Sequence, residues 1–72
     1  MKEVFTFWIN DKNLFKVYHK KDNYYAYVID SNGKEKGGIV IPKFLYPFKE
    51  VRRNYTKFAN FVYKHCKLKK LV

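Results

Sequence analysis

The chain is expected to be α+β, a four-stranded antiparallel meander packed on one C-terminal amphipathic helix. Three observations predict this. Residues 3 to 42 read as strand-forming runs separated by turn clusters. After Pro42 the apolar residues recur at helical spacings of three and four. With 72 residues, 47% of them hydrophobic and 21% aromatic, there is material for one core and no second one, so residues 1–72 form a single domain.

The first strand, about residues 3–9, is Glu-Val-Phe-Thr-Phe-Trp-Ile, rich in β-branched and aromatic types and closed by the turn formers Asn10-Asp11-Lys12-Asn13. Residues 14–20 alternate in polarity and stop at Lys21-Asp22-Asn23, which predicts a second strand antiparallel to the first. Residues 24–30, Tyr-Tyr-Ala-Tyr-Val-Ile-Asp, are the most β-prone run, and Asn32-Gly33 supplies the positive φ of a tight hairpin. A fourth strand is expected over 38–42, at an edge, because Pro42 lacks a backbone donor. The helix is expected over 47–66 as one continuous element of about five turns. Its stripe is Phe48, Val51, Tyr55, Phe58, Ala59, Val62 and Cys66, and residues 67–72 read as a frayed tail.

Side chains alternate across a strand, so parity sorts the sheet into two faces. Phe5, Phe7, Ile9, Phe15, Val17, Ala26 and Val28 form the set that should meet the helix. The opposite set is Thr6, Trp8, Lys16, Tyr18, Lys20, Tyr25 and Tyr27. Rings standing among ammonium groups on an uncovered face suit unpaired bases, each of which has a face to stack and a phosphate to pair. Two other readings of this face stay open, cross-strand aromatic stabilisation of the sheet alone and burial in a homodimer.

Charge narrows the partner. Sixteen Lys and Arg against six Asp and Glu give a net charge of +10, a self-repulsion most readily explained by an anionic partner. Nucleic acid leads, with phosphates assigned to Lys16, Lys20, Lys34, Lys36, Arg52 and Arg53. Base stacking falls to Trp8, Tyr18, Tyr25 and Tyr27. The basic helix face is a second candidate surface for a phosphate path or an acidic membrane, and Phe61 and Tyr63, off the main stripe, point to a dimer contact.

No apolar run approaches a membrane span and no signal peptide is evident, so an intracellular, cytoplasmic protein is expected, with a nucleoid or viral setting compatible. Abundant Lys, Asn, Tyr, Phe and Ile fit an AT-rich coding sequence such as that of a low-GC bacterium or its phage. One cysteine, Cys66, excludes an intramolecular disulfide, and with two histidines a zinc site is not expected; no metal and no cofactor are assigned. His65 and Cys66 are adjacent on a helix and point about 100° apart. No paired carboxylates share a face, so an enzyme is not expected. The Gly-rich loop 33–38 lacks the Gly-Lys-Ser/Thr of a P-loop.

The run Asn23-Tyr-Tyr-Ala-Tyr-Val-Ile-Asp30, with Gly38-Ile-Val-Ile-Pro42 and Phe48-Lys-Glu-Val51, is similar in layout to the positive-cofactor-four family of single-stranded DNA binders and to the PUR repeat. That resemblance implies dimers and single-strand binding through the sheet. Tyr25-Ala-Tyr-Val-Ile-Asp-Ser-Asn-Gly-Lys34 resembles strand and turn of the arm-binding domain of tyrosine recombinases, which implies a sheet in the major groove of a duplex. The sequence therefore leaves three function classes: a single-strand binder, a double-stranded DNA reader, and an interaction module for an acidic protein partner.

Overall fold

A computed structural model describes residues 2–8 and 10–71. Four strands, β1 (Lys2–Trp8), β2 (Asn13–Lys20), β3 (Asn23–Asp30) and β4 (Glu35–Pro42), pair in the order β1-β2-β3-β4, every neighbour antiparallel. A short 3-10 helix, Lys43–Leu45, leads to α1 (Phe48–Arg53) and α2 (Tyr55–Leu68). The α+β meander with a C-terminal helical layer is the architecture expected, and β4 is an edge strand. The placement of Ile9 with the core set, and of Val72 in the tail, concerns positions outside the described residues.

The turns follow from side-chain chemistry. Asn10 Oδ1 accepts the Lys12 and Asn13 backbone N–H groups at 2.8 and 2.9 Å, closing the β1–β2 loop. Asp30 Oδ1 does the same for Asn32 and Lys34 at 2.9 and 3.0 Å, and Gly33 takes φ +81 in the turn that results.

Strand parity decides the core. Phe15 and Val17 of β2, Tyr24, Ala26 and Val28 of β3 and Ile41 of β4 are fully buried, as are Val51 of α1 and Phe58, Val62 and Cys66 of α2. Phe58 is the hub: its ring centroid lies 4.8 Å from Tyr24, 5.1 Å from Tyr46 and 5.7 Å from Phe5. The Tyr24 hydroxyl, carried inward with its ring, donates to the Tyr46 carbonyl at 2.6 Å, and burial pushes its pKa up to about 12. Phe61, read from sequence as a dimer contact, packs within its own chain on Tyr46 at 5.0 Å and on His65 at 4.4 Å. Tyr63 likewise lies 6.5 Å from the Phe15 ring.

Three boundaries differ from the sequence expectation, each for a local reason. The helix over 47–66 is two helices, because Asn54 adopts extended backbone (φ −152, ψ 94). Its N–H closes α1 on the Glu50 carbonyl at 3.2 Å while its Oδ1 caps α2 by accepting from Lys57 N–H at 3.1 Å. β4 begins at Glu35 instead of residue 38, because a bulge between Val28 and Ile29 lets Glu35, Lys36 and Gly37 oppose two residues of β3. The expected frayed tail is a closed helix end: Lys70 takes φ +59, its N–H bonds the Lys67 carbonyl, and Leu71 N–H bonds the Cys66 carbonyl, both at 3.0 Å. Leu71 then packs against the core beside Gly37.

Removing the hub tests this packing. Phe58→Ala is expected to cost about 3–5 kcal/mol, comparable to the whole stability of a domain this small, and so to abolish a cooperative urea transition at 25 °C. Phe58→Leu, which keeps most of the apolar volume, is expected to retain that transition at a lower midpoint.

Candidate functional site

The helices cover one face of the sheet and leave the other uncovered by any described element. Register orders the open face into three rows: Glu3, Tyr18, Tyr25 and Val40; Thr6, Lys16, Tyr27 and Gly38; Trp8, Leu14, Ile29 and Glu35. Lys20 extends it beyond the first row. Among the aromatic candidates, Tyr18, Tyr25 and Tyr27 are brought together at the centre. Trp8, 63% exposed, stands at the β1 edge, separated along its row from β4 by Leu14 and Ile29.

Tyr27 owes its pose to Gly38 directly across the ladder. A β-carbon at Gly38 would lie 2.9 Å from Tyr27 Cδ1 and 3.0 Å from the Ala26 carbonyl oxygen, so the ring leans into space that only glycine leaves free. Tyr18 meets it at a centroid distance of 5.8 Å and an angle of 70°, one ring standing against the other. The corner between them opens into a shallow depression of about 360 Å³ lined by Lys16, Tyr18, Tyr27, Ile29 and Glu35.

The charges sort differently from the rings. Lys16 and Lys20 are on the aromatic face, but so are Glu3, whose Oε1 accepts from the Thr6 hydroxyl at 2.5 Å, and Glu35. Lys34 sits in the β3–β4 turn. Lys36, at the bulge, turns to the helix side, where its ammonium donates to Asn13 Oδ1 at 3.3 Å and satisfies a buried amide. Arg52 and Arg53 end α1 in the helical layer, Arg53 pairing with Glu50 at 3.4 Å. Nine of the 16 Lys and Arg but only one of the six carboxylates lie between Lys43 and Lys70, so most of the positive charge stands behind the sheet. Sequence reasoning missed Glu35, Leu14 and Ile29 on the open face. Leu14 and Ile29 share parity with residues already assigned there, whereas Glu35 follows only from the bulge.

A second groove, about 550 Å³, lies between the β1 edge and α2, with Phe5, Phe7, Trp8, Asn60 and Tyr63 among its walls. Phe44, on the 3-10 helix, is 82% exposed. The histidines and the cysteine make contacts within the fold. His19 stacks on Phe48 at 4.5 Å and its Nδ1 accepts from the Lys43 ammonium at 3.1 Å. His65 Nδ1 lies 3.1 Å from the Phe61 carbonyl, and burial pushes the Cys66 thiol up to about 11, away from thiolate chemistry. Among the described residues no three His, Cys, Asp or Glu side chains converge as metal ligands, and no helix is long and apolar enough to cross a membrane.

No protein-family model matches this chain, and no curated protein or solved structure shows significant similarity to it.

Desolvation, and then the Lys43 and Lys2 ammonium groups, lower the His19 pKa below its ordinary 6.5. The folded state thus binds the imidazole proton more weakly than the unfolded state. Its stabilising contribution is complete above pH 6.5 and is lost as pH falls through the folded value. The melting temperature is expected to drop between about pH 7.5 and pH 5.5, and His19→Gln is expected to flatten that part of the profile.

Proposed function

We propose that the chain binds single-stranded nucleic acid, DNA or RNA, with unpaired bases stacked on the open face of the sheet. One observation carries the reading: Tyr18, Tyr25 and Tyr27 adjoin one another, with Lys16 and Lys20, on a face that no helix covers. The three rings are half-buried among their neighbours, and the surface they keep open gains little from water, whereas each base offers an apolar π-face worth about 1–3 kcal/mol on such a platform. Lys16 and Lys20 neutralise phosphates between stacked bases, while Trp8, at the β1 edge, walls the groove against α2 and stands apart from the three tyrosines.

Two features favour a single strand over a duplex. Four paired strands span roughly 14 Å between outer backbones, more than the ~12 Å major groove. A tyrosine cluster supplies π-surface on which unpaired bases can stack, and the grooves of a duplex offer only base edges. The positive helical layer lies behind the sheet on the side away from the open face, so at moderate salt its cations are screened from a strand bound there. Its part is to draw a polyanion toward the protein, and it does not touch the bound strand.

This division makes the salt dependence diagnostic. With two or three phosphates neutralised directly, log K against log salt for an oligonucleotide is expected to fall with a slope of about −2. A slope of roughly −5 or steeper would place the strand on the helical layer instead. Tyr25→Ala and Tyr27→Ala are each expected to weaken binding by about 1–3 kcal/mol with far-UV circular dichroism unchanged. Preference for duplex in direct competition, or no binding of any oligonucleotide at low salt, contradicts the proposal, and the second result leaves the acidic protein partner as the better reading.

A further inference from the structure

The open face holds a carboxylate that a general single-strand platform does not need. Glu35 is exposed, and among the described residues it takes part in no side-chain hydrogen bond or ion pair, in contrast to Glu3, which is engaged by Thr6. Beside a polyanion such a group repels phosphate, a cost with no return unless the carboxylate meets hydrogen-bond donors. Its position is specific: Glu35 lines the same depression as Tyr18, Tyr27 and Lys16. Lys16 pairs with Tyr27 from the β2 side and Glu35 approaches from β4, so cation and anion lie on opposite sides of the Tyr27 strand, about two strand spacings or roughly 10 Å apart.

A nucleotide has the same polarity along its length, an anionic phosphate at one end and the Watson–Crick edge of its base at the other. We infer that this corner is a guanine subsite: the base stacks on Tyr27 against the Tyr18 wall, Lys16 holds its phosphate, and the Glu35 carboxylate accepts from the base edge. Guanine is the base that fits. It alone presents two adjacent donors, N1–H and N2–H, to the two oxygens of one carboxylate. Adenine and cytosine each present one amino group beside a ring nitrogen acceptor, and thymine or uracil flanks its single N–H with two carbonyls that repel the anion. Ile29 adds an apolar surface to the same depression, against which the base can pack.

This inference rests on the single-strand reading of the sheet face, and the experiment separates the two. Fluorescence anisotropy with end-labelled oligothymidylates, each carrying one central guanine, hypoxanthine, adenine or thymine, is the assay. Wild type is expected to bind the guanine strand about ten-fold more tightly than the adenine or thymine strand, with hypoxanthine, which lacks the N2 amino group, between them. Glu35→Gln, an exposed substitution, is expected to reduce the guanine preference to less than two-fold and to leave binding of the all-thymine strand unchanged or stronger, because a repulsive charge is gone. Equal binding of all four strands by wild type, or a guanine preference that survives Glu35→Gln, overturns the subsite while leaving the platform intact. Failure of every strand to bind overturns the platform itself.

Discussion

The fold depends on the docking of Phe58 into the ring cluster of Tyr24, Tyr46 and Phe5. A single layer of helix can bury only one face of a sheet, and the fully buried Phe58, Val62 and Cys66 stripe fixes which face that is. Once Phe15, Val17, Ala26 and Val28 are committed to that stripe, alternation along β2 and β3 sends Lys16, Tyr18, Tyr25 and Tyr27 outward. The half-buried aromatic cluster on the open face is therefore a geometric consequence of core packing. That it is aromatic, where Thr, Lys and Glu would serve solubility, is the feature that needs a function.

Charge and ring are assigned to different sides of the molecule. The helical segment carries nine cations against one carboxylate, with Lys64, Lys67, Lys69 and Lys70 gathered toward the C-terminal end of α2, where the helix dipole favours them. The sheet carries most of the carboxylates, and its open face sets Lys16 and Lys20 against Glu3 and Glu35. Affinity from such a face comes mainly from stacking and local hydrogen bonds, and the net charge of +10 acts on approach.

The sheet was legible because its signals are local. Asn10, Asp30 and Gly33 terminate strands through their own side chains or backbone freedom, and period-two alternation names the face of Phe15 or Tyr25 without reference to the rest of the chain. What escaped depends on geometry that alternation does not encode. Asn54 lies inside a continuous apolar pattern, yet its backbone N–H closes one helix and its side-chain oxygen caps the next. Lys70 adopts a left-handed conformation usually given to glycine because Leu71 gains a place against the core. The bulge before Gly37 shifts the register of β4, which takes Lys36 to the helix side and brings Glu35 to the open face. Of the residues expected to form one site, the three tyrosines, Lys16 and Lys20 assemble; Lys36, Arg52 and Arg53 belong to the opposite layer.

Whether the uncovered face of the sheet is where this protein acts is tested by titrating the isotopically labelled full chain with a single-stranded oligonucleotide and following amide and aromatic resonances. The largest changes are expected at Lys16–Lys20, Tyr25–Ile29 and Gly38–Val40, with the ring signals of Tyr18, Tyr25 and Tyr27 moving together. Changes confined to Lys43–Lys70, with those rings unmoved at saturation, would contradict it.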